Sequence, residues 1–257
     1  MELFLGLIIP LLGTTLGVSL VFFIKKGINE KLHKVSLGFA GGVMIAASIW
    51  SLIDPSLELS SSMGKFRFVP PLIGFLVGIL FMYLLDVLVP HMHEGNVEEG
   101  VKNSLKKTTK MMFAITLHNI PEGMAVGVLF AGAIYGNHTI TLASALILSI
   151  GIAIQNFPEG LIVSMPLYEE GMSKGKSFLY GFISGVVEPI AALVAIAFTS
   201  IVTAALPYIL AFAAGIMIYV VIDEIIPSME SGEHSNLAIF AFAIGFALMM
   251  ALDIALS

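Results

Sequence analysis

An all-α integral membrane protein, a bundle of eight transmembrane helices, is the fold class this sequence predicts. Three observations carry the prediction. Of 257 residues, 58% are hydrophobic and only 12% charged, with a mean hydropathy of +0.99, whereas soluble domains carry about 25% charged residues. Eight segments have the run of roughly 20 apolar residues a spanning helix needs: about 3–24, 35–56, 69–89, 110–131, 139–164, 177–198, 205–227 and 235–256. Alternating ten-residue strands are absent, and an open sheet cannot satisfy its backbone in lipid. The connecting loops leave no room for a soluble domain, so residues 1–257 are expected to form one membrane domain.

Taken in order, the first span is almost continuously apolar. With no basic n-region and no A-x-A cleavage site, it is expected to be a retained helix and not a signal peptide. The second carries "GFAGGVMIAASI" at 38–49 and ends near Asp54. The third ends near Asp86, and the longest polar loop follows, "PHMHEGNVEEGVKNSLKKTT", with His91 and His93. The fourth contains "TLHNIPEGMAV" at 116–126 and the fifth "AIQNFPEGLIV" at 153–163. The sixth holds Glu188, the seventh "AFAAGIMIYVVI" at 211–222 followed by Asp223 and Glu224, and the eighth Asp253. The stretches in the second and seventh spans match at Phe39/Phe212, Ala40/Ala213, Gly42/Gly215, Met44/Met217, Ile45/Ile218 and Ile49/Ile222. Spans 1–3 and 6–8 then pair across a central 4–5 couple running in opposite directions. This 3+2+3 inverted repeat is the kind of architecture that builds alternating access around a midplane site.

Basic residues set the expected orientation. Lys25, Lys26, Lys31, Lys34, Lys102, Lys106, Lys107, Lys110, Lys174 and Lys176 lie in odd-numbered loops, and only Lys65 and Arg67 lie in even-numbered ones. The positive-inside rule makes the odd loops cytoplasmic and places both termini outside. With no cysteine, disulfides and thiolate ligands are excluded.

The chemistry sits in the spans. Acids occur at Asp54, Asp86, Glu122, Glu159, Glu188, Asp223, Glu224 and Asp253, yet no Lys or Arg lies in any span interior. A charge at the bilayer centre costs about 2.5–3.5 kcal/mol on insertion scales. Without basic partners, these acids must be protonated, solvated or neutralised by a cation. Glu122, Glu159 and Glu188 fall near mid-span. His118 shares a helix face with Glu122, and Gln155 with Glu159. Pro121 and Pro158 deprive the carbonyls of Leu117 and Ile154 of their helical donors and are expected to kink the helices just before each glutamate. Imidazole, carboxylates and the amide oxygens of Asn119, Asn156 and Gln155 suit Zn, Fe, Mn, Co or Cd as divalent ions. Two such ions bridged by Glu122 and Glu159 would balance the charge. Asp54 and Asp253 are expected at the outer mouth, and Asp86, Asp223, Glu224, His91 and His93 at the inner one. Met44 competes as a soft ligand because its helix also carries Ser51 and Asp54.

"HNIPEG", "QNFPEG" and "VEP" together resemble the ZIP family of divalent metal transporters, in particular its GufA-like prokaryotic branch. The resemblance covers the whole chain. It implies a transporter domain in the cell membrane that moves metal into the cytoplasm, chiefly zinc and often iron, manganese, cobalt or cadmium, through a two-metal site. The implied ligands are His118, Asn119, Glu122, Gln155, Asn156, Glu159 and Glu188, with Met44 nearby. Gln155 stands where many relatives have His, and Asn156 where some have Asp, so the second metal position is expected to be weaker or less zinc-selective. Expected partners are the ions and the lipid bilayer, not nucleic acid, with a homodimer left open; no resident cofactor is expected. A proton- or sodium-coupled antiporter is the alternative, although it has no need of His118 or the amides. An intramembrane hydrolase is disfavoured by the lack of H-E-x-x-H and G-x-S-x-G.

Overall fold

The computed structural model describes residues 2–24, 29–92, 98–101, 107–135, 140–201, 203–230 and 236–256. All eight expected helices are present: α1 (Glu2–Phe22), α2 (Glu30–Leu59), α3 (Val69–Leu88), α4 (Lys107–Tyr135), α5 (Leu142–Glu169), α6 (Lys174–Ile201), α7 (Leu206–Glu230) and α8 (Asn236–Leu256). Several run past the hydrophobic segments at the end of the bundle that carries the basic loops. There α2 starts at Glu30, α5 ends at Glu169 and α7 ends at Glu230. Helix formation needs only intrasegment hydrogen bonds, so it continues into polar sequence until a cap stops it. Asn29 caps α2 by accepting from the Lys31 N–H at 2.9 Å. Thr141 and Ser144 form a reciprocal capping box at the start of α5. Between α3 and α4, the described residues include a two-residue β ladder, with His91 paired to Glu99 and Met92 to Glu98.

Two helices contain a π turn, Ser48–Ile53 in α2 and Val221–Ile225 in α7. Pro55 and Pro227 follow these turns closely. A proline ring displaces the carbonyl four residues back, at Ser51 and Asp223, and the ladder takes an extra residue per turn. By contrast, α4 and α5 remain helical through Pro121 and Pro158.

The helices pack most closely in four pairs: α1 with α5, α4 with α6, α2 with α8 and α3 with α7. Each pair is zipped by glycines four apart. A Cβ at Gly13 or Gly17 would overlap the carbonyls of Ala153 or Phe157, and one at Gly123 or Gly127 those of Glu188 or Ala192. Gly38 and Gly42 meet Ala238 and Phe242 in the same way, and Gly74 and Gly78 meet Tyr208 and Phe212. Lipid supplies no hydrophobic force between helices, so close backbone approach through small residues is what holds them. The contacts also correspond between the halves. Gly42 against Phe242 has its counterpart in Gly215 against Phe75, and Gly245 against Phe39 in Gly78 against Phe212. α3 and α8 are the most exposed helices and α4 the most enclosed, which sets the fourth helix at the centre.

Candidate metal site

The glycine zipper between α4 and α6 brings Glu122 beside Glu188, because the glycine that follows Glu122 packs on the Glu188 carbonyl. The α1–α5 zipper presents Gln155, Asn156 and Glu159 to the same region. Glu122 is fully buried, Glu188 and Asn156 nearly so, and Glu159 partly. Glu122 lies within electrostatic reach of Glu159 and Glu188, and Glu159 within reach of Glu224.

The amides orient the carboxylates. Gln155 Nε2 donates to Glu122 Oε1 at 2.6 Å. Asn156 Nδ2 donates to the Thr14 hydroxyl at 3.1 Å, and that hydroxyl donates to Glu188 Oε1 at 2.7 Å. What is left over is informative. Glu122 Oε2, Gln155 Oε1, Asn156 Oδ1 and Glu188 Oε2 are buried with no hydrogen-bond partner. Buried polar groups are almost always paired, so a cluster of four unpaired oxygens on three adjacent helices needs a reason. Two of them are on acids, and a bound cation, a water molecule or a proton on a carboxyl would each satisfy such a set. Among the described residues, no three His, Asp or Glu side chains stand close enough to enclose an ion; the amide oxygens of Gln155 and Asn156 are the further acceptors in this region.

The remaining residues expected from the sequence are spread over several places. His118 Nε2 contacts Glu224, so the π turn of α7 delivers to the motif an acid expected only among those at the inner end. Asn119 is buried with its Nδ2 unpartnered. Asp253 is buried against the Ser51 hydroxyl on the π turn of α2, with Asp54 exposed nearby. Asp86 and His91 pair with each other, His91 Nε2 lying 2.9 Å from Asp86 Oδ1, and Tyr219 donates to the other carboxylate oxygen at 3.1 Å. Asp223 is partly buried beside Glu224 on the α7 π turn. Met44 sits in the apolar core among Val43, Ala46 and Ala47, its carbonyl accepting from Ser48 at 2.8 Å. His93 lies outside the described residues. Thr14 was missed by sequence reasoning. A lone hydroxyl in an apolar helix reads as bonding its own backbone, which it also does, to the Pro10 carbonyl at 3.3 Å. The flanking Gly13 and Gly17 were the available signal that this face meets another helix.

A family model described as ZIP zinc transporter matches residues 2–112 and 107–253. The zinc transporter ZIP11 of Xenopus tropicalis is 37% identical over 316 aligned residues, covering 95% of this chain and 94% of its own. The zinc transporter GufA of Myxococcus xanthus is 34% identical over 258, covering 98% of each. The zinc transporter ZupT of Chlorobaculum parvum is 36% identical over 261, covering 95% and 93%.

Proposed function

This chain belongs to the ZIP zinc transporter family, and on that premise we propose how it carries its substrate. It transports zinc across a membrane, as its relatives are named for doing. The ion binds at mid-depth between α4, α5 and α6, to His118, Glu122, Glu159 and Glu188 together with the amide oxygens of Asn119, Gln155 and Asn156. Two ions, bridged by Glu122 and Glu159, balance the acids, and Met44 stands by as a soft neighbour. The observation that carries this reading is the set of four buried, unpartnered acceptor oxygens at Glu122, Gln155, Asn156 and Glu188.

Movement is inward, with the basic loops cytoplasmic and both termini outside, in the cell membrane. Asp54, exposed at the outer mouth, concentrates cations there by its charge, Asp253 lies buried near it against Ser51, and Glu224, Asp223, Asp86, His91 and His93 lead toward the cytoplasm. Iron, manganese, cobalt and cadmium share the ligand chemistry and are secondary substrates. The corresponding Gly–Phe contacts of the two halves support an inverted repeat, and with it alternating access about this site.

Uptake into sealed proteoliposomes tests the proposal. Glu122→Ala and Glu159→Ala each remove a bridging carboxylate and should lower zinc uptake by more than about 100-fold, beyond the 10–100-fold typical of losing a group that only supports a ligand. Both variants should fold, because a buried acid without its cation does not stabilise the bundle. Zinc uptake at the wild-type rate in either variant would refute the site.

A further inference from the structure

We propose that Thr14 of α1 is a positioning residue of the cation site: by donating to Glu188 and accepting from Asn156, its hydroxyl fixes which oxygens of those two side chains face the ion. The proposal rests on the site reading above and adds to it a helix to which neither the sequence motifs nor the family resemblance assigns a role.

Thr14 is 4% exposed. A hydroxyl has one proton and two lone pairs. The proton has two acceptors in range, Glu188 Oε1 at 2.7 Å and the Pro10 carbonyl at 3.3 Å. The shorter contact goes to a charged oxygen and takes it. A lone pair receives Asn156 Nδ2 at 3.1 Å, and the same Nδ2 lies at 3.5 Å from the Pro10 carbonyl. The consequence is read directly in the two groups. With its Nδ2 engaged, Asn156 leaves Oδ1 as the unpartnered atom, and with Oε1 engaged, Glu188 leaves Oε2. Without the hydroxyl, the Asn156 amide can swing its N–H onto Glu188. That would occupy the carboxylate and present a donor where an acceptor is needed.

The surrounding backbone holds Thr14 in this role. Gly160 of α5 packs on the Thr14 carbonyl, and Gly185 of α6 lies against its methyl. Thr14 therefore sits between the helix that carries Asn156 and the one that carries Glu188, with no room for a larger side chain. Gly160 meets the Thr14 backbone as Gly123 meets that of Glu188. Across the α1–α5 contact, Thr14 holds the place that Glu188 holds across the α4–α6 contact, a hydroxyl opposite a carboxylate.

The test uses the full chain, purified in detergent for equilibrium binding of Zn2+ and reconstituted in proteoliposomes for uptake. Thr14→Val keeps the shape and the methyl but removes the hydroxyl. It should raise the zinc Kd and the half-saturation of uptake roughly tenfold, the scale of one hydrogen bond to a charged group. Thr14→Ser, which restores the hydroxyl without the methyl, should recover most of that loss. A packing role predicts the opposite order, with the serine variant the worse one. A wild-type Kd in Thr14→Val, or a Kd in Thr14→Ser as weak as in Thr14→Val, overturns the proposal. If Thr14→Val does not accumulate in membranes, Thr14→Ala, which only removes atoms, is read against Thr14→Ser in the same way. Glu188→Gln separates the two readings. Unchanged zinc binding there sinks the site itself, whereas lost binding there with a wild-type Kd in Thr14→Val sinks only the role of Thr14.

Discussion

At the scale of single residues, the chain places acids in span interiors whose sequence holds no lysine or arginine, and sets amides beside them. Gln155 takes one oxygen of Glu122, and Thr14 with Asn156 takes one of Glu188. Each arrangement leaves an acceptor facing inward. His118 differs in kind, because imidazole is the softer ligand and also contacts Glu224. Replacing it with alanine should weaken zinc binding by about tenfold or more and manganese binding markedly less, since manganese prefers oxygen donors. Competition between the two ions for the purified variant measures this, and equal losses would place His118 outside the ligand set. Glu122, Glu159 and the amides beside them were legible from residue types and spacing around the N-x-P-E-G pair, and Glu188 from its place in an apolar span. Hidden were the contacts made across helices. Thr14 carries no motif, and the pairing of Asp86 with His91 depends on how the chain turns after α3.

At the scale of helices, number and order could be read from hydropathy, whereas ends and irregularities could not. Polar residues can extend a helix beyond the hydrocarbon without weakening it, so α2 begins at Glu30 and α5 runs to Glu169, each about five residues past the apolar run. The π turns arise from Pro55 and Pro227, one turn after the residues they displace. Composition alone does not say whether such a proline opens a π turn, as Pro55 and Pro227 do, or leaves the helix assignment unbroken, as at Pro121 and Pro158. Packing is clearer, since glycines four apart zip the four helix pairs. A side chain at Gly78 would overlap the backbone of α7. Gly78→Val should therefore destabilise the protein by at least about 1–3 kcal/mol, the range for overpacking a tight contact. By contrast, Gly175→Ala meets open space and should be neutral or slightly stabilising. Thermal unfolding in detergent compares them; similar melting temperatures for the two variants would mean that the α3–α7 contact is not a tight one.

At the scale of the whole molecule, the matching segments in the second and seventh spans carry similar close contacts, Gly42 against Phe242 and Gly215 against Phe75, as the proposed inverted repeat requires. Charge asymmetry adds a direction. The chain has no cysteine, so single cysteines report sidedness without background. One at Ser61 and one at Lys176, both exposed, should react with a membrane-impermeant thiol reagent from opposite faces, Ser61 from outside intact cells and Lys176 only after permeabilisation. Labelling of both from the same face would overturn the orientation. The central claim is that the unpartnered acceptors around Glu122 hold the transported ion. Equilibrium zinc binding to the purified full-length protein in detergent tests it most directly. Wild-type protein should bind zinc tightly, and Glu122→Ala should lose that binding while keeping a cooperative melting transition. Unchanged zinc stoichiometry and affinity in Glu122→Ala would contradict it, leaving the paired N-x-P-E-G stretches as elements of helix packing alone.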